Sequence, residues 1–234
     1  MRVLCELSVW SSAEIKRMDQ FTSLEACTSW CLSRILARSV LSFFSCVQPD
    51  ELCFSFEENG KPYLQGSNIN FNWSHTSGCI GLAVTSGRRV GIDVENINRS
   101  MEDFAEIARL YFLKEEFEWI SSALYPDSWL RFLSLFVQKE AYLKATGEGL
   151  SSSLAMAPAF KVLPFQQSPG HIIFRTGKTG HFMVTARMLP GLNETPLTRS
   201  IVNEGSGFDL YREWFDPVSG LMPVLRWKEQ SFFR

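Results

Sequence analysis

An α+β fold is what this sequence predicts, on three observations. A strand-like opening runs into a long helical stretch. Short β-like pieces then crowd the region up to residue 98. Beyond it the texture changes to helices, and then back to strands. This order suits two halves meeting near Asn98, residues 1–98 and 99–234.

Each element has its own reason. Residues 2–10 alternate weakly and carry β-formers, so they read as a strand. From Ser23 to about Cys46 apolar residues recur at helical spacing, at Leu24, Cys27, Cys31, Ile35, Val40, Phe43 and Phe44. Pro49 bars continuation. Short β-like segments follow at 52–56, 60–64, 70–74, 79–85 and 89–95, parted by glycine-containing turns. Helices are expected at 101–110, 113–123 and 127–146, with Pro126 as a break and Gly147 and Gly149 as stops. Further β-like segments lie at 160–163, 172–174, 182–187 and 221–227. The stretch 190–207, rich in Pro, Gly, Asn, Thr and Ser, reads as a loop.

Composition narrows the function. The chain has 234 residues, 45% hydrophobic and 21% charged, enough for a proper core. Its 23 Lys and Arg against 25 Asp and Glu give a net charge of −2, with pI about 6.0. That balance, with no basic run, disfavours a nucleic-acid binder driven by phosphate attraction. No apolar run approaches the roughly 18 residues of a membrane span, and Glu6 interrupts the N-terminal apolar stretch, unlike a secretory signal. The six cysteines (Cys5, Cys27, Cys31, Cys46, Cys53, Cys79) form no CxxC pair. Cys27 and Cys31 read as core thiols, and the three scattered histidines exclude a His-rich zinc site. A reduced, cytoplasmic protein is the expectation.

Three segments carry chemistry. In Arg89-Val90-Gly91-Ile92-Asp93-Val94-Glu95, strand alternation puts Asp93 and Glu95 on one face, roughly 7 Å apart. Like charges that close need water or a shared cation, and an edge strand with a wet face is the other explanation. On a helical wheel of 127–146, Trp129, Leu130, Phe132, Leu133, Phe136, Val137 and Leu143 form one apolar arc. Arg131, Ser134, Gln138 and Ala145 fall opposite. Glu140 and Lys144 lie inside the arc, which leaves either a buried Glu140–Lys144 ion pair or two groups presented to a site. Lys139 sits at the arc's edge, where its stem covers apolar surface with the head in water.

The third segment is Phe71-Asn72-Trp73-Ser74-His75-Thr76. Adjacent Ser74 and His75 face opposite ways in a strand, so they are no nucleophile–base pair, but hydroxyl and imidazole suit phosphate binding. Lys61, in Gly60-Lys61-Pro62, adds a cation on a rigid turn or is simply a surface lysine. Asp-x-Glu, a distant Glu and nearby lysines together suit Mg²⁺ and phosphate oxygens.

These residues carry a resemblance. The blocks GKPYL, FNWSHT, VGIDVENINR and FVQKEAYLKATGEGL, in this order from Gly60 to Leu150, resemble the motifs of the Sfp-type 4′-phosphopantetheinyl transferases. The resemblance implies two α+β subdomains related by a pseudo-twofold, with coenzyme A in the cleft between them. It implies Mg²⁺-dependent transfer of the phosphopantetheine arm from coenzyme A to a serine of an apo acyl or peptidyl carrier protein, releasing 3′,5′-ADP. Asp93, Glu95 and Glu140 would hold Mg²⁺, with Mn²⁺ as an alternative. Glu140 would also be the base for the serine, and Lys144 would neutralise the pyrophosphate and protonate the leaving phosphate. Lys61, Ser74 and His75 match positions that contact the coenzyme's phosphates, and Lys139 belongs to the same binding motif.

Three positions depart from the pattern: Phe136 where tryptophan is common, Ile97 where some members have threonine, and Thr76 for a frequent serine. Nothing is carried over beyond about Pro190. Arg109 and Lys114 are candidates for a basic patch facing the carrier. The cleft being internal, a monomer is implied, with neither nucleic acid nor membrane as partner. The competing readings are a Mg²⁺-dependent phosphohydrolase or nuclease, and a non-catalytic carrier-binding module. Near-neutral charge counts against the nuclease, and the intact carboxylates and lysines against the module.

Overall fold

Local sequence signals start and stop the helices. In the computed structural model, residues 10–76, 79–98, 102–149 and 154–159 are described with their side chains, and strands 182–188, 198–204, 209–215 and 224–226 by backbone alone. Helix α1 (Ser12–Met18) begins at Ser11, whose hydroxyl accepts from the Glu14 N–H while Glu14 reaches back in a capping box. Helix α2 (Leu24–Ser45) is capped by the Ser23 hydroxyl, and Cys46 ends it in the left-handed conformation at φ 57°.

The strands β1 (Phe54–Phe56) and β2 (Pro62–Leu64) form a small hairpin. Next come β3 (Ile69–Thr76), β4 (Cys79–Ser86) and β5 (Val90–Asn96). Helices α3 (Phe104–Tyr111), α4 (Lys114–Ser121) and α5 (Asp127–Thr146) follow, then a 3₁₀ turn at Leu154–Met156. The chain continues in β6 (Phe182–Met188), β7 (Thr198–Glu204), β8 (Asp209–Phe215) and β9 (Val224–Arg226). Among the described residues every strand pairing is antiparallel: a five-stranded sheet in the order β3-β4-β7-β8-β9, and a separate β5–β6 pair. The architecture is therefore mixed helix and strand, as expected.

Most expected elements appear with shifted ends, and 127–146 appears with both ends unchanged. Residues 2–9 of the first expected strand and the segments 160–163 and 172–174 lie outside the described residues. The loop expected over 190–207 is corrected, since it contains β7. The polar sequence Thr-Arg-Ser-Ile-Val-Asn-Glu does not announce a strand; pairing on both edges, with β4 and β8, supplies the backbone bonds that make one. Helix α1 and strand β8 were not anticipated.

Three packed regions surround the site. One face of α2 gives Ala37 and Leu41 to a cluster with Leu52, Leu64, Phe71, Leu82 and Val84. Val90, Ile92 and Val94 of β5 pack with Cys79 and Ala83. Helices α3, α4 and α5 share an aromatic cluster in which Phe132 contacts Phe104, Phe112, Trp129 and Phe136 at centroid distances of 5.4–5.7 Å. Phe136 keeps its aromatic role there, and Ile97 packs against the same cluster. Cys27 and Cys31 are buried beside Met18, as expected of core thiols. Among the described residues no helix is long and apolar enough to cross a membrane.

Candidate active site

Strand β5 is not a wet edge. Asp93 is only 3% exposed. One edge of the strand pairs with β6, and on the other side the Ile92 N–H donates to Asn72 Oδ1 of β3 at 3.0 Å. Helix α5 covers it so closely that a Cβ on Gly91 would stand 2.0 Å from the Ala141 carbonyl oxygen and 2.4 Å from the Ala145 nitrogen. Only glycine permits that approach. It lays the turn carrying Glu140 and Lys144 over the strand two residues before Asp93.

Of the wheel's two alternatives, the Glu140–Lys144 ion pair is not formed. Lys144 Nζ pairs with Asp93 Oδ1 at 2.5 Å and donates to Ser74 Oγ at 3.1 Å; its ion pair is not with Glu140. Ser74 Oγ in turn donates to Asp93 Oδ1 at 3.0 Å. The second oxygen, Asp93 Oδ2, is buried without a hydrogen-bond partner. Glu140 is 6% exposed, and its carboxyl is pushed up to about 7, first by burial, then by Asp93, with Lys144 opposing and Glu95 adding. Glu140 thus feels the charge of both Asp93 and Glu95, with the Lys144 ammonium opposing them.

Hard carboxylate oxygens that repel each other, one of them unsatisfied, are the donor chemistry that suits a small divalent cation. No group of three His, Cys, Asp or Glu side chains stands in metal-holding geometry among the described residues. Lys144 holds Asp93 instead.

His75, next along β3, lies within the same field. Its imidazole is lowered from the ordinary value by desolvation first, then by Lys144 and Arg34. Arg34 on α2 was missed in the sequence. Its guanidinium lies 3.8 Å over the Trp73 ring and 5.1 Å from that of Trp30, with Nη1 buried and unpartnered. Burial lowers it to about 10, with Glu14 opposing and Arg38 adding. A wheel of α2 carries the signal, because Arg34 and Arg38 share the face of Cys27, Cys31 and Leu41.

Two lysines stand elsewhere. Lys61 Nζ is buried and donates to the carbonyls of Val90 at 2.7 Å and Lys144 at 2.6 Å. The expectation for Lys139, a head in water, is corrected. It is wholly buried, pairs with Glu116 at 3.0 Å and donates to the carbonyls of Leu154 and Ala157 at 2.9 and 2.8 Å. The expected polar face of α5 is corrected with it, since Ser134, Gln138 and Ala145 are fully buried. Arg109 is exposed and paired with Glu106, and Lys114 is exposed near Glu118.

Known proteins of one family resemble this chain. Residues 2–87 match the family model for the N-terminal part of 4′-phosphopantetheinyl transferase, and 89–189 that of the 4′-phosphopantetheinyl transferase superfamily. The chain is 34% identical over 145 residues to the 4′-phosphopantetheinyl transferase HetI of Nostoc sp., covering 60% of this chain and 61% of that one. It is 32% identical over 119 residues to the transferase gsp of Aneurinibacillus migulanus, covering 51% of this chain and 48% of that one. With the transferase Sfp of Bacillus subtilis it shares 28% over 149 residues, 63% of this chain and 65% of that one. The match thus spans about half to two thirds of the length of these relatives. Two family models lying end to end over residues 2–189, and relatives that bear the same name, lead to one conclusion: the chain belongs to the 4′-phosphopantetheinyl transferase superfamily.

Proposed function

We propose that this protein transfers the 4′-phosphopantetheine arm of coenzyme A to a serine of an apo carrier protein, releasing 3′,5′-ADP. The observation that carries the reading is the convergence of Asp93, Glu140, Lys144 and Ser74 where Gly91 lets α5 lie on β5. Asp93, Glu95 and Glu140 are the residues that would hold Mg²⁺ or Mn²⁺. A bound cation would neutralise charge on the pyrophosphate oxygens.

The chain's own groups do the rest. Glu140 accepts the proton of the carrier serine, directly or through water. The serine oxygen forms a bond to the β-phosphorus as the bond to the 3′,5′-ADP oxygen breaks. Lys144 leaves Asp93 to neutralise the phosphates and gives a proton to the departing one. Arg34, whose Nη1 has no hydrogen-bond partner among the described residues, and His75 would bind the coenzyme's phosphate groups through charge-assisted bonds. In this reading Lys139, committed to Glu116 and two carbonyls, holds α5 in place rather than contacting the coenzyme.

The two-half organisation, 1–98 and 99–234 about a pseudo-twofold with the coenzyme between, belongs to the same proposal. It is supported by each long helix lying on antiparallel strands, α2 against β3 and β4, α5 against β5 and β6. The test is the intact mass of an apo carrier protein incubated with the chain, coenzyme A and Mg²⁺, beside an EDTA control. A metal-dependent gain of one phosphopantetheine group is expected. No gain with several unrelated carriers, together with no binding of coenzyme A, would overturn the reading and favour a hydrolase.

A further inference from the structure

The end of α5 that carries Lys144 is gripped by two cations from earlier in the chain. Lys61, in the turn before β2, donates to the carbonyls of Lys144 at 2.6 Å and Val90 at 2.7 Å. Arg89, one residue ahead of β5, donates from Nε to the Ala145 carbonyl and from Nη2 to that of Thr146, each at 2.9 Å. Glu57 holds the same guanidinium through both its oxygens, at 2.9 and 2.7 Å. The last carbonyls of a helix have no partner within it and form the negative end of its dipole, so cations there satisfy what α5 leaves open.

The helix stops directly under this clamp. Gly147 turns left-handed at φ 75°, and a Cβ there would meet Arg89 Nη2 at 2.6 Å and Glu57 Oε2 at 2.8 Å. Two of the three Lys61 N–H donors are therefore committed to main chain, in a side chain almost out of solvent. One of those carbonyls belongs to Lys144 itself. The other opens β5, three residues ahead of Asp93.

Resting on the transferase reading, we propose that Lys61 is a positioning residue: it joins the Lys144 carbonyl to the start of β5 and so sets where the Lys144 ammonium and the Asp93 carboxylate stand, rather than contacting the coenzyme's phosphates. Binding of the coenzyme then owes little to Lys61, and the chemical step owes much.

The full chain with Lys61→Met and Lys61→Arg tests this, by transfer kinetics, by calorimetric binding of 3′,5′-ADP, and by hydrogen exchange at residues 142–147. Lys61→Met is expected to lower kcat by about a hundredfold, the scale of a small misplacement of reacting groups, with binding of 3′,5′-ADP unchanged. Exchange in the last turn of α5 should quicken by about tenfold as the capping cation is lost. Lys61→Arg, which keeps charge and donors, should recover part of both. A fall of about tenfold or more in 3′,5′-ADP binding, with kcat and exchange unchanged, would make Lys61 a phosphate contact and overturn the proposal. If Lys61→Met fails to fold, Lys61→Arg decides by the same split between kcat and binding. If the wild type transfers nothing, the transferase reading falls on its own test. The exchange arm then still decides whether Lys61 holds Lys144.

Discussion

Two lysines five positions apart on α5, Lys139 buried and Lys144 half-buried, are held to different ends. At Lys139 every charge has an answer: Glu116 pairs with it, the carbonyls of Leu154 and Ala157 accept from it, and the Phe112 ring lies 5.2 Å away. At Lys144 the answers are incomplete. Its ammonium satisfies one oxygen of Asp93 and leaves the other orphaned, beside a Glu140 that burial and two carboxylates hold up at about 7. A closed polar network fixes the packing of α4, α5 and the 154–157 turn; an open one is available to a ligand.

The largest effect that could break this contrast is in stability. Lys139→Met strands the Glu116 carboxylate in the core and is expected to cost about 3–5 kcal/mol, read from urea unfolding. Adding Glu116→Gln, which removes the stranded charge, should return part of that loss. If Lys139→Met instead unfolds like wild type and abolishes transfer, Lys139 belongs to the site after all.

Next in size is a loss of rate with no loss of fold. Asp93→Ala and Glu140→Ala should each lower transfer by about a hundredfold or more. The unfolding midpoint should hold or rise for Glu140→Ala, whose carboxyl is buried with no ion pair among the described residues, and fall only a little for Asp93→Ala, because the Lys144 it unpairs is half-exposed. Normal turnover by either variant would remove the pair from the chemistry.

The smallest effect is a matter of sign. Burial lowers the Lys61 ammonium to about 8, with Arg89 adding and Glu57 opposing, from an ordinary 10.5. Between those values the unfolded chain binds the proton that the native chain has released, so stability rises with pH. Wild type should therefore gain on Lys61→Met as pH climbs from 8 toward 10.5, in thermal unfolding. A difference that shrinks over that range would show the ammonium held charged by its two carbonyls.

How far the residues alone reached differs from one element to the next. The helix Asp127–Thr146 was legible because Pro126 and Gly147 bound a strongly periodic run. The same run misled about its polar face, since a wheel assumes water on one side and α5 has β5, β6, α3 and α4 around it. β7 was hidden because its sequence is polar and one of its two partners, β4, lies more than a hundred residues away, while the other, β8, was itself not anticipated. Arg34 was legible but unread: the test applied to Glu140 picks it out on α2.

By itself the sequence determined the mixed helix and strand elements, the stripe that sets Glu140 and Lys144 inward, and the strand face shared by Asp93 and Glu95. These depend on local geometry, on periods of 3.6 and 2 that any stretch of chain carries within it. Only the tertiary structure decided who meets whom: that Lys144 takes Asp93 rather than Glu140, that Lys139 turns to Glu116, and that Lys61 seizes a carbonyl at the end of α5. Those partners lie 51, 23 and 83 positions apart along the chain. A charge taken out of water must find an opposite charge or a hydrogen-bond partner, and which one it finds depends on what packing brings within 3 Å, not on its neighbours in sequence.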